Sequence, residues 1–244
     1  MEWDSWFQNK TFSTDWTSTH FSDWAHHLAK LRDRDIGILE IGSWEGRSAI
    51  FFLEYLPRSR ITCIDTFQGG AEHARFGEEV LSSIETRFDS NLAPYGDRVL
   101  KIKSRSLPAL DRLAQDQASF DLIYIDGSHA RDDVLIDSVL AWRVLATRGI
   151  CIWDDYSWGV RDQPLAERPQ QAIDAFLDSH FEELTVLQAD TQVIVEKRPN
   201  TLPKRQTFLT FPRTASNLMR FLTRQPLQPH TGRSLRPQNG LIGK

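Results

Sequence analysis

Two cysteines in 244 residues are too few to staple a fold, and both Cys63 and Cys151 sit inside apolar, strand-like runs. No zinc-type spacing accompanies them, so both read as buried, reduced thiols. No apolar run approaches the ~20 residues that a membrane-spanning helix needs. The N-terminal stretch "MEWDSWFQNK" lacks the basic and apolar regions of a secretory leader. A soluble, cytoplasmic chain is therefore the expectation. The dinucleotide fingerprint G-x-G-x-x-G is missing as well. The first glycine turn reads "GSWEG", with Trp44 where the second glycine would stand. A side chain there crowds the place of a pyrophosphate but leaves room for a nucleoside without phosphates. Acidic residues are missing from 197–244, which hold ten Lys+Arg. The first 196 residues then hold 19 basic against 33 acidic groups, a formal −14. Such a body repels phosphates, and nucleic acid is not expected as its partner.

What is present is an alternation of short apolar strands with amphipathic helices from Ile36 to about Lys197. "IGILEIG", "RITCIDTF", "RVLKIKS", "FDLIYIDGSH" and "ICIWDDY" read as five strands, with helical stretches between them. The stretch "DDVLIDSVLAWRVLATRG" reads as one helix stopped at Gly149. "ELTVLQADTQVIVEK" reads as two further strands joined by a tight turn. The fold class is therefore α/β and Rossmann-like: a mostly parallel seven-stranded sheet, helices on both faces, and an antiparallel last strand. Three segments follow: an aromatic-rich N-terminal cap (1–35), the core (36–198) and a basic, mobile tail (199–244). The cap carries Trp3, Trp6, Trp16 and Trp24 with Phe7, Phe12 and Phe21. It either packs on the core or covers a pocket.

In such sheets ligands sit at the carboxyl ends of the strands, where the strand order reverses. The first strand ends at Glu40 and turns through Gly42, Ser43 and Gly46. The second ends at Asp65, placed to bind the hydroxyls of a ribose, with a helix cap as the alternative. The third ends at Ser104 and Arg105, on the side where an adenine would lie. The fourth ends at Asp126, followed by His129, and the fifth ends at the pair Asp154 and Asp155. Neighbouring strand ends lie about 5 Å apart, so three carboxylates converge. Three anions in one crevice repel unless a cation joins them, and oxygen ligands favour Mg²⁺ or Mn²⁺. Adjacent strand residues point opposite ways, so both of the pair face one ion only if the chain has turned at Asp155. Otherwise Asp154 is the ligand.

Together "LEIGSWEGRS", "CIDTF", "FDLIYIDGSH" and "GICIWDDY" resemble the class I S-adenosylmethionine-dependent methyltransferases. "DGSH" followed by "WDDY" resembles their metal-dependent macrocin O-methyltransferase group and related small-molecule O-methyltransferases. The resemblance implies S-adenosylmethionine as cofactor, with Glu40, Gly42 and Gly46 near its methionine part and Asp65 on its ribose. Asp126, which also borders the cofactor, would bind Mg²⁺ with Asp154 and Asp155, and His129 would act as base. The implied reaction is methyl transfer to a small-molecule hydroxyl in a sugar, glycoside or catechol-like diol. Trp153, Tyr156 and Trp158 are expected beside the metal. The residues also allow a non-methyl-transferring metal enzyme on the same fold, or a cofactor-binding module acting through its tail. The acceptor is not legible, and the sequence is compatible with a homo-oligomer.

Overall fold

A computed structural model describes residues 3–199. Seven strands form one sheet in the order β3-β2-β1-β4-β5-β7-β6. They are β1 (Ile36–Ile41), β2 (Ser59–Asp65), β3 (Val99–Lys103), β4 (Phe120–Ile125), β5 (Leu145–Trp153), β6 (Leu184–Ala189) and β7 (Val193–Lys197). The first five run parallel, and β7 runs antiparallel to both β5 and β6. The order reverses between β1 and β4, which places a crevice above their carboxyl ends. The expectation for the tail lies outside the described residues.

Strand alternation sorts the core into two layers. Ile38, Cys63, Leu122, Tyr124, Ile152 and Ile194 face helices α1 (Phe21–Leu28), α2 (Arg47–Tyr55) and α3 (Gly77–Leu92). Leu39, Ile64, Ile123, Cys151, Trp153 and Val193 face α4 (Ser106–Gln115), α5 (Arg131–Val144) and α6 (Pro169–Ser179).

The aromatic N-terminal residues pack mainly on α2. The Phe51 ring meets Phe21 at 4.4 Å, Trp24 at 5.4 Å and Trp3 at 5.5 Å between centroids. The stretch between Phe7 and Ser18 is pinned by polar contacts. Arg47 on α2 donates two bonds to Asp15 and one to Ser18 while lying over the Phe7 ring. Asn91 on α3 bonds the backbone of Thr11 in both directions. Trp16 reaches the β1–α2 turn, where it meets Trp44 at 5.4 Å and His73 at 5.5 Å, and Ser13 Oγ accepts the Trp44 indole N–H at 3.3 Å.

One boundary differs from the sequence reading. Helix α5 ends at Val144, five residues before Gly149, because Leu145 is already extended (ψ 125°). Lys197 Nζ donates to the carbonyls of Trp142 and Leu145 and closes that helix end. Gly149 lies inside β5, where the pairing with β4 slips between Phe120 and Leu122. A Cβ there would lie 2.7 Å from Leu145 Cδ1 and 2.8 Å from Ala146 O, so this glycine serves a bulge and not a helix stop.

Candidate functional site

Backbone bonds continue past the strand ends and hold them in step. Gly42 N–H donates to Ile64 O, Asp126 N–H to Ile41 O, and Asp154 N–H to Ile125 O, all at 2.8–2.9 Å. Gly42 (φ +83°) is where β1 turns beneath this row. A Cβ on it would lie 1.9 Å from Asp126 O. The glycine therefore permits contact between the β1 turn and the β4 turn. Gly46 (φ +81°) faces Leu92 and Phe88 on α3 instead. Trp44 adopts φ +46°, a region costly for a side chain by about 1–2 kcal/mol. Its ring is held against His73 at 4.5 Å.

Asp65 accepts the N–H groups of Ser43 (2.7 Å), Trp44 (2.8 Å) and Phe67 (2.6 Å). Its carboxylate thus closes the β1–α2 turn from the side of β2. Ser104 N–H donates to Asp65 O, which places β3's end next in the row. Arg105 precedes the first turn of α4 without capping it.

Glu40 is fully buried beneath this turn. It accepts Ser48 Oγ at 2.6 Å and lies 3.4 Å from Cys63 Sγ. Burial pushes its carboxyl up to about 7, against hydrogen bonds that favour the charged form. A folded value above the unfolded one means stability is greatest at low pH and falls as pH rises from about 4.3 through 7. Glu40→Gln should remove this fall. At pH 8 the variant should be up to about 3 kcal/mol more stable than wild type, with no gain at pH 4. Urea midpoints at the two pH values test this, and parallel pH profiles would refute it.

The fourth and fifth strand ends form a denser cluster. Ligand-capable atoms of Asp126, His129 and Asp155 all lie within 4.8 Å of one another. The chain has turned by this point: β5 ends at Trp153, and Asp155 has φ +57°. Asp155 Oδ2 meets His129 Nε2 at 2.7 Å, and the Trp158 ring covers the imidazole at 4.1 Å.

Asp154 lies outside that triad of atoms. Its Oδ1 accepts Asp155 N–H and Gln192 Nε2, each at 2.9 Å, and its Oδ2 lies 2.5 Å from the Tyr124 hydroxyl. The same hydroxyl lies 3.0 Å from Asp126 Oδ2. A phenol has one proton, so it donates to only one of these carboxylates. The second contact is satisfied by a proton on Asp126 or relieved by a cation. Burial, then the charges of Asp154 and Asp155, pushes the Asp126 carboxyl well up, and burial and Asp155 push Asp154 up. The donor set of hard oxygens and an imidazole, short of positive charge, fits a divalent cation.

The aromatic residues at the end of β5 and after it take different places. Trp153 is buried on the opposite face, its indole N–H on Ser138 Oγ and its ring against Phe176. Tyr156 turns its hydroxyl to Asp174 on α6. Trp153 nonetheless lines the small cavity beside Asp126, His129 and Asp155, and Trp158 meets His129. Tyr124 and Gln192 were not singled out in the sequence. Tyr124 had a signal, since it stands two residues before Asp126 and shares its face of β4.

Residues 39–156 match the model of a methyltransferase-domain family. This region is similar to a methyltransferase domain. The chain is 30% identical over 125 residues to O-methyltransferase hkm8 of Aspergillus hancockii, covering 51% of this chain and 44% of that protein. It thus spans less than half the length of that curated relative. The methyltransferase core also shares its fold with MycE from the mycinamycin pathway, solved with Mg, S-adenosylhomocysteine and mycinamycin VI. The TM-score is 0.55 at 18% identity, over 91% of this chain and 58% of that one. A third relative is the O-methyltransferase TomG of Streptomyces achromogenes, solved with S-adenosylmethionine, at TM-score 0.55 and 22% identity over 75% and 82% of the chains. The glycine turn, Asp65 and the Asp126–His129–Asp155 cluster all lie within the matched region. Gln192 and Trp24 do not. Among the described residues, no helix of the chain is long and apolar enough to cross a membrane.

Proposed function

We propose that the protein transfers the methyl group of S-adenosylmethionine to a hydroxyl of a small molecule, a sugar, glycoside or catechol-like diol. The observation carrying this reading is the cluster of Asp126, His129 and Asp155 within 4.8 Å, beside the glycine turn of a methyltransferase domain. The cofactor would lie along Gly42, Ser43 and Gly46, its ribose toward Asp65 and its adenine toward Ser104 and Arg105. To bind the ribose, the Asp65 carboxylate keeps its three backbone contacts and offers the one lone pair left, on Oδ1.

Asp126 and Asp155, with Asp154 behind them, would hold Mg²⁺ or Mn²⁺. A cation held there supplies a Lewis acid that favours ionisation of the acceptor hydroxyl. His129 then has a defined task. The imidazole, held at Nε2 by Asp155 Oδ2, would take the hydroxyl proton. Asp155 fixes the ring and stabilises the imidazolium. In the transfer an O–CH₃ bond forms, an S–CH₃ bond breaks, and the proton leaves on His129. The Trp158 ring keeps one side of the imidazole dry and offers a flat apolar face to the acceptor.

The test is transfer of labelled methyl from S-adenosylmethionine to a panel of catechols and glycosides, before and after chelation. Chelation should abolish turnover, and Mg²⁺ or Mn²⁺ should restore it. Undiminished turnover in chelator would remove the metal from the reading. Failure to bind S-adenosylhomocysteine in a calorimeter would remove the reaction itself.

A further inference from the structure

The aromatic N-terminal segment and the β6–β7 turn meet at a point that methyl transfer does not by itself explain. Gln192 is fully buried on that turn, and Trp24 on α1 is fully buried against it. They are 168 residues apart in sequence, yet Trp24 Nε1 lies 2.7 Å from Gln192 Oε1. An indole N–H donates and never accepts. The amide oxygen must therefore face Trp24, and the amide NH₂ must face the other way, toward Asp154 Oδ1 at 2.9 Å. The turn is itself fixed, since Asp190 Oδ1 accepts the Gln192 N–H and Thr191 O accepts the Tyr156 N–H.

We infer that Trp24 and Gln192 are positioning residues for the Asp126–His129–Asp155 site, acting through Asp154. The amide donor holds the Asp154 carboxylate in one orientation. From that orientation Oδ1 also takes the Asp155 N–H, which keeps Asp155 in its left-handed turn and its carboxylate on His129. Oδ2 takes the Tyr124 hydroxyl and keeps that ring between Asp154 and Asp126. One amide thus fixes both acidic arms of the site. Without the indole the amide is free to turn over, and its oxygen would then face the Asp154 carboxylate. The N-terminal segment, outside the region matched to the family, becomes part of the site's architecture. This rests on reading the cluster as a cation site.

The experiment uses the full chain and Mn²⁺ alone, followed by electron paramagnetic resonance, with S-adenosylhomocysteine affinity measured in parallel by calorimetry. Gln192→Met keeps the length and removes the donor. It should weaken Mn²⁺ binding by about 10-fold or more while leaving S-adenosylhomocysteine affinity within about twofold. Gln192→Glu keeps the shape and places an oxygen against Asp154, so it should weaken Mn²⁺ binding at pH 8 at least as much. A role in packing alone would spare the Glu variant. Trp24→Phe should weaken Mn²⁺ binding in the same direction, and it carries the test if the Gln192 variants do not fold. Mn²⁺ affinity within about twofold of wild type in folded variants would overturn the inference, as would a parallel loss of both ligands. A wild-type protein that binds no Mn²⁺ is a different result. It would overturn the cation site itself and this inference with it.

Discussion

His129→Ala is expected to lower the rate of methyl transfer by about 10²- to 10⁴-fold, the range a positioned general base supplies. S-adenosylhomocysteine affinity should stay near wild type, because His129 follows β4 on the side of Asp155 and away from the glycine turn. The geometry makes the substitution informative. The imidazole is fixed by Asp155 at 2.7 Å and covered by Trp158 at 4.1 Å, so it is held for a task and not left to rotate. Truncation removes the proton acceptor and leaves Asp126 and Asp155 in place. His129→Gln should be nearly as inactive, since an amide can occupy the space but cannot take the proton. Initial rates at saturating S-adenosylmethionine, with the best acceptor of the wild type, measure the effect. A loss under about tenfold would assign the proton to another group or to solvent.

Gly42→Ala is expected to cost more than about 4 kcal/mol, the range reserved for substitutions with a named mechanism of damage. Two mechanisms act at once here. The backbone has φ +83°, and the new Cβ would lie 1.9 Å from Asp126 O and 2.7 Å from Gly127 Cα, both backbone atoms that cannot swing aside. Relief requires separating the β1 turn from the β4 turn, which also displaces Asp126. The variant should therefore lose stability and Mn²⁺ binding together. Gly77→Ala is the matched control. Its φ is +77°, but nothing lies within 4 Å of a Cβ there. With ψ 164° it lies in a glycine-only region, so its replacement should cost only the backbone term, about 1–3 kcal/mol. Equal costs for the two variants, read from denaturant unfolding, would show that the close approach to Asp126 has no energetic weight.

Much of this was written plainly in the chain. Apolar runs of strand length, alternating with helical periods, determine a parallel sheet and its crossovers, and hence where strand ends gather. Asp65, Asp126, His129 and the Asp154–Asp155 pair were all legible as strand-end residues. The structure brings the last four into one crevice and places Asp65 under the first turn. Whether Asp154 or Asp155 faces the cluster depended on one backbone angle that local sequence does not determine. The end of α5 was misread because a lysine 53 residues beyond Val144 closes it. Gln192 was invisible for a related reason. Its role depends on an antiparallel hairpin and an N-terminal helix meeting over the sheet, and neither leaves a motif.

The pinning of residues 7–18 onto α2 and α3 also separates two units often treated as one. The inherited module, as a family model recognises it, starts at Leu39 and stops at Tyr156. The cooperative module is longer at both ends. A fragment cut at Leu39 would strip Phe21, Trp24 and Leu28 from the Phe51–Phe52 surface, and one cut at Tyr156 would leave β5 as a bare edge without β7. Such a fragment is a template for aggregation. Exchange of modules between relatives of this protein would therefore succeed when the segment before Leu39 and the β6–β7 hairpin travel with the core, and fail at the borders of its homology.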